Sequence, residues 1–216
     1  LAQVHLLVRP HGGEAVEVDP ALIEAELAEI VRNRQDDLRE ELVRRHGEEQ
    51  GLRLARGYGR ALSNEYLRDI AAADAADDVE HLAALREADD LGLRLYRSDR
   101  SEGGLRFKLY RLNDDIPLSD VLPLMENLGL RVIAEHPHRI EQGGQVAYIQ
   151  DFEVQPLNGT LDVEGLDAAF EDAFAHVFRG QAENDGFNRL VLDAGLSWRQ
   201  VAMLRGYCKY LLQVGV

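Results

Sequence analysis

The side chains best equipped for chemistry in this sequence are seven histidines, one cysteine, two lysines and several neighbouring carboxylates. His136 and His138 stand two apart in a β-leaning stretch, so on a strand both imidazoles share one face and make a feasible ligand pair, with Glu135 on the other face. A zinc site takes three or four ligands, and no third donor comes with this pair; Pro137 between them marks an edge or strand end carrying two exposed imidazoles. Asp114-Asp115 and Glu183 with Asp185 lack a partner of complementary role, so they read as caps and turn formers rather than acid–base pairs. Cys208, between Tyr207 and Lys209 with no histidine near, reads as a buried inert thiol, and Trp198, Tyr207 and Tyr210 read as packing residues. No G-x-G-x-x-G follows a strand, no Walker sequence occurs, and Lys108 and Lys209 are the only lysines. No catalytic, cofactor-binding or metal-binding residue is therefore assigned.

The elements that must position these groups centre on Gly104 to Gln155. Leu105, Phe107 and Leu109 alternate with Arg106, Lys108 and Tyr110, the period of a strand with one face buried. Ser119 stands as an N-cap for a short helix carrying Val121, Leu122, Leu124, Met125 and Leu128, with Pro123 in its first turn and Gly129 at its end. Two strands follow, joined as a hairpin across Glu141–Gly144, and Leu161 to Arg179 is helical with Asp162 as its cap. This order predicts an α+β fold, a mainly antiparallel ferredoxin-like sheet with helices on one face. LGLRLYR (91–97) and LRFKLYR (105–111) read as adjacent antiparallel strands.

Ahead of the sheet, QVHLLVR (3–9) reads as an edge strand. A helix capped by Asp19 runs to about His46-Gly47, a second covers about Gln50 to Arg60, and a third starts at the Ser63 cap with Asp74, Asp77 and Asp78 on its solvated side. After the sheet, Leu190 to Ala194, closed by Gly195, and Trp198 to Val214 form a helical pair. The expected organisation is residues 1–90 as a strand and helical insertion, 91–181 as the α+β module, and 182–216 as a helical linker.

A net charge of −15 repels phosphate backbones, so nucleic acid is excluded as a partner. No apolar run reaches a membrane span and no signal sequence opens the chain; with Cys208 alone there is no internal disulfide, and cytoplasmic residence is expected. The start at Leu1 without a methionine and the close at Val216 just past a helical run suggest a piece of a longer polypeptide.

SDVLPLMENLGLRVIAE, with LRFKLYR before it and DFEV after, resembles the large NAD-specific glutamate dehydrogenases of bacteria, and so does ENDGFNRLVLDAGLSWRQVAMLRGYCKYLLQ. The likeness is looser over DDLREEL and ARGYGRALSNEYLRDI and covers most of the chain. It implies the third ACT-like regulatory module and the helices leading toward catalytic domains that are absent here. No cofactor is then expected in this piece, with NAD belonging to the parent enzyme, which deaminates glutamate oxidatively. The implied partners are the rest of the parent chain, a second copy in a homo-oligomer, and an amino-acid effector. The effector would take the loop after the first strand and the helix-to-strand turn, matching Asn113, Asp115 and Leu118, the Ser119 helix start, and Asn127 and Gly129. An ACT order of βαββαβ wants one further strand, supplied by Leu91–Arg97 or Val4–Arg9. A purely structural scaffold that binds no small molecule is the alternative.

Overall fold

The computed structural model describes residues 19–24, 33–98, 104–159 and 165–215. The expected strand at 3–9, the Asp162 cap and the middle of the first helix lie outside those residues. The Asp19 cap is in place: its side chain accepts the Ala21 amide at 2.9 Å, and residues 20–24 are helical.

Four strands form one sheet: β1 (Gly92–Arg97), β2 (Leu105–Leu112), β3 (Leu130–Gln142) and β4 (Gln145–Pro156), in the order β1-β2-β4-β3. Every pairing is antiparallel, and Leu93 opposes Leu109 while Leu95 opposes Phe107, so the two similar heptapeptides are neighbours. Leu91–Arg97 thus supplies the extra strand. β3 is the other edge, and its Pro137, opposite Gln150, sits where a missing N–H breaks no ladder on the open side.

Alternation divides the sheet into two faces. Leu93, Leu95, Leu105, Phe107, Leu109, Phe152 and Val154 meet α4 (Leu118–Asn127), α5 (Asp167–Phe178) and the C-terminal helices in one apolar cluster. Phe107 packs edge-on to Phe170 and Phe174 with centroids 5.1 and 5.0 Å away. Tyr110, Leu112, Ile140, Ala147 and Ile149 face the other way, against α1 (Arg34–Tyr58), α2 (Asn64–Asp69) and α3 (Ala72–Ala84). The α+β fold with its antiparallel sheet and one-sided ACT-like helices is present, and the N-terminal helices add a layer on the second face.

Within α1 the chain turns at Gly47, where φ is 77° and ψ 171°. Residues eight apart in a straight helix lie about 12 Å apart, yet a Cβ on Gly51 would sit 2.5 Å from Val43 Cα, so the helix doubles back on itself. The break expected at Gly47 is there.

Three sequence expectations are corrected. The helix from Ser63 is two: Ser63 accepts the Tyr66 amide, α2 stops at Asp69, and extended Ile70 and Ala71 lead into α3. The N-cap of α4 is Pro117, with no side-chain cap, and the Ser119 hydroxyl instead donates to Asp120 at 3.1 Å inside the first turn. Asp78 is fully buried rather than solvated.

The C-terminal helices follow the reading more closely. Asp185 caps a 3-10 turn (Gly186–Arg189), Gly195 closes α6 (Leu190–Ala194) at φ 64°, and Ser197 with Gln200 forms a capping box for α7 (Trp198–Gln213). Trp198 stacks on His176 at 4.2 Å, as a packing residue should. Tyr207 and Tyr210, however, are 62% and 61% exposed and do not pack, and Cys208 is only half-buried.

Candidate functional site

Strand alternation puts Arg106, Lys108 and Tyr110 on the face that receives the N-terminal helical layer. A face that would be wet on an open sheet is therefore covered. Lys108 and Asp78 are both fully buried, and the ammonium donates to both carboxylate oxygens at 2.8 Å. Two phenols complete the carboxylate's shell: Tyr66 donates at 2.5 Å and Tyr110 at 2.6 Å. Burial, then the adjacent Asp78 charge, pushes both phenols well above their ordinary pKa, so they stay donors. Lys108 also donates to the Tyr66 oxygen at 3.2 Å and lies 3.7 Å from Asp151. Asp151, 1% exposed, accepts the Arg106 Nε at 2.8 Å.

The network joins three elements that are remote in sequence. Asp78 belongs to α3, Tyr66 to α2, and Lys108, Tyr110 and Asp151 to the sheet. Around it, Arg45 of α1 binds Asp77 and donates to Ala73 O at 3.0 Å, and Arg94 of β1 donates to Asp74 at 2.8 Å and pairs with Asp77. Burying charge in this way is costly unless it is paired; the Asp78–Lys108 pair has both tyrosines around it, while one buried nitrogen of Arg94 at the rim has no hydrogen-bond partner among the described residues, and the paired centre fixes the helical layer on the sheet.

Beside the network a cavity of about 510 Å³ opens between α2 and the sheet. Ser63, Glu65, Tyr66, Asp69 and Ile70 form its helical wall. Arg106, His136, His138, Asp151 and Glu153 form its floor. The histidine pair expected on one face of a strand is here: His136 is 3.8 Å from Glu153, and His138 meets Tyr66 edge-on at 4.5 Å, its pKa lowered chiefly by burial. Among the described residues no cluster of three or more metal-ligating side chains occurs.

The resemblance-derived effector residues sit elsewhere, at the two ends of α4. Asn113 adopts a left-handed φ of 69°, which asparagine tolerates, while its amide extends the ladder to Val146 O at 2.8 Å. Gln150 clamps the loop it opens: its Oε1 accepts the Ile116 amide at 2.8 Å, and its Nε2 donates to Ile116 O and to Glu135 at 2.9 Å. Asp115, Leu118 and Ser119 are exposed beyond that clamp. Asn127 donates to Asn184 at 3.0 Å, and Gly129, buried at φ 96°, lies under Arg189, whose Cγ is 3.7 Å from where a Cβ would be. Ten residues of helix hold the two groups about 15 Å apart, so within one copy they do not line a common pocket.

The buried network was missed in the sequence because Asp78 follows Asp74 and Asp77 in what looks like a solvated run. The usable signal was Lys108, one of two lysines, standing in a strand where arginine fills nearly every cationic position.

Residues 41–85 match the family model of glutamate dehydrogenase helical motif 2, residues 90–166 that of the glutamate dehydrogenase ACT3 domain, and residues 182–216 that of helical motif 3. The chain belongs to the family of large bacterial NAD-specific glutamate dehydrogenases. It is 38% identical to the NAD-specific glutamate dehydrogenase of Halomonas elongata over 99% of its length, which is 13% of that protein. The Pseudomonas aeruginosa NAD-specific glutamate dehydrogenase is likewise 38% identical over 99% of the chain, again 13% of the relative. The Mycobacterium tuberculosis protein of that name is 33% identical over 73% of the chain. The cavity and the network therefore lie at the junction of the helical motif 2 match, which holds Tyr66 and Asp78, with the ACT3 match, which holds Lys108, His138 and Asp151.

Proposed function

We propose that this chain is a non-catalytic regulatory and assembly segment of an NAD-dependent glutamate dehydrogenase, whose whole chain oxidatively deaminates L-glutamate to 2-oxoglutarate and ammonia with NAD. It works in the cytoplasm, in a homo-oligomer, joined to the rest of the dehydrogenase chain. The observation that carries this reading is the buried Lys108–Asp78 pair with its two tyrosines. It ties one helical segment to the ACT3 sheet through groups that tolerate no sliding, and this suits a part that transmits position rather than one that turns over substrate. An amino-acid effector in such a segment would bind at the loop after β2, at Asn113, Asp115, Leu118 and Ser119. Asn127 and Gly129 would join that site only from a second copy.

One observation favours the scaffold reading instead: the α4-to-β3 turn is already covered by Asn184 and Arg189. Thermal shift with a panel of amino acids separates the two. A ligand at a hundred times its Kd adds about 2.7 kcal/mol of stability; a shift abolished by Asp115→Ala supports effector binding, and no shift with any amino acid leaves the scaffold.

A further inference from the structure

Helix α7 is built the wrong way round for a helix whose outer side meets water. Of its three cations, Arg205 is 5% exposed and donates to Asp185 at 2.7 and 2.9 Å, and Lys209 reaches back to Glu183 at 2.7 and 2.8 Å. It contains no Asp or Glu. Its outward side instead carries Met203, Leu204, Tyr207, Tyr210 and Leu211, with Val214 just past its end, all 42–62% exposed. On a 3.6-residue turn these six fall within about 120° of one another, the width of a stripe that a helix normally buries. At about 200 Å² for a large side chain they expose roughly 600 Å² of apolar surface, the upper end of what a monomer leaves bare. Residues 203, 207, 210 and 214 repeat at intervals of four, three and four, the seam spacing of one helix laid against another. Gly206 lies beside the seam, and nothing comes within 4 Å of where its Cβ would be. A glycine there weakens the helix but lets a second backbone approach closely.

The occupant follows from length and charge. The chain spans 13% of each of the two relatives that it matches over 99% of itself, so most of a dehydrogenase of this family lies outside it. A second copy of the segment is disfavoured, since each copy brings a net charge of −15. We infer that the outward face of α7 seats an amphipathic helix from the rest of the dehydrogenase chain, with the two backbones closest at Gly206. The inference rests on the reading that this chain is one segment of such an enzyme. Tyr207 and Tyr210 then pack after all, against a part of the enzyme outside the segment.

Hydroxyl-radical labelling read by mass spectrometry compares the 216-residue chain with a complete dehydrogenase carrying the same segment. Met203, Tyr207 and Tyr210 are expected to label readily in the chain alone, which should scatter light as a monomer, and at least fivefold less in the complete enzyme. Gly206→Leu should leave the melting temperature of the chain alone unchanged or raised, because it puts a better helix former into open space, and should restore labelling in the complete enzyme. Three results each overturn the inference: equal labelling in the two proteins, a dimer of the chain alone with its α7 face protected, or protection in the complete enzyme that Gly206→Leu does not reduce. None of them bears on whether the chain is non-catalytic, which glutamate-dependent NADH formation decides, so the two readings fail separately.

Discussion

Replacing Lys108 by methionine keeps an unbranched chain of similar length and deletes one charge from the fully buried pair. Asp78 then keeps the hydroxyls of Tyr66 and Tyr110 but loses the ammonium that contacts both of its oxygens at 2.8 Å. Among the described residues no second cation pairs with Asp78, and Arg106 nearby is spent on Asp151. Stranding a buried charge in this way costs about 3–5 kcal/mol. Against a total stability of about 5–15 kcal/mol that is a large fraction, and at about 2–4 °C per kcal/mol for a chain of this size it should lower the melting temperature by roughly 10 °C. Asp78→Asn should cost a similar amount, because it leaves Lys108 the neutral Tyr66 oxygen at 3.2 Å and, as its remaining counter-charge among the described residues, Asp151 at 3.7 Å, which Arg106 already engages. The double variant Asp78→Asn/Lys108→Met strands neither charge, so its cost should fall short of the sum of the single costs by about 2 kcal/mol. Urea unfolding at neutral pH, followed by circular dichroism with m held in common, measures all three. A cost for Lys108→Met below about 1 kcal/mol, or simple additivity in the cycle, would refute the claim that this pair fixes the helical layer on the sheet.

Three further outcomes follow from single side chains. Glu171 accepts the Leu95 amide of edge strand β1 at 2.8 Å, and burial raises its pKa from 4.5 to about 7. The folded chain therefore holds a proton that the unfolded chain has released, so stability falls as pH rises from about 4.5 to about 7. Glu171→Gln should remove that slope and stabilise the protein above pH 7 by about 2 kcal/mol, once partial exposure of the carboxyl is discounted; unfolding curves across pH check it. Gly51→Ala should cost at least about 2 kcal/mol, because the new methyl meets Val43 and Leu42 backbone atoms 2.5–2.7 Å away, read as a loss of melting temperature. Gln150→Leu orphans the buried Ile116 amide and carbonyl, at about 2–4 kcal/mol, and should speed hydrogen exchange at Ile116 ahead of the flanking strands.

The strands were legible because each one alternates: Leu105, Phe107 and Leu109 against Arg106, Lys108 and Tyr110 state both the element and its buried face. The break at Gly47 was legible because glycine there ends an apolar period. What local pattern could not show is that a second helical layer covers the polar face. A strand bearing Arg, Lys and Tyr looks the same in sequence whether that face meets water or a buried aspartate. The misreading of Asp78 has the same root, since Asp77 and Asp78 are adjacent yet point about 100° apart on α3, one to the rim and one to the interior. Ser119 read as the cap on side-chain chemistry alone, but the helix begins at Leu118, one residue after Pro117 and two after Ile116, whose amide Gln150 holds. The effector residues came from resemblance alone, and the cavity from no motif at all. Its walls come from segments about forty to ninety residues apart, Ser63–Ile70 and Arg106–Glu153, which only folding brings together.

The most direct test of the account is glutamate-dependent NAD reduction by the purified 216-residue chain, followed by NADH absorbance beside a complete dehydrogenase carrying the same segment. The account predicts NADH from the complete enzyme and none from the chain alone at any glutamate concentration. Steady NADH formation by the chain alone would contradict it.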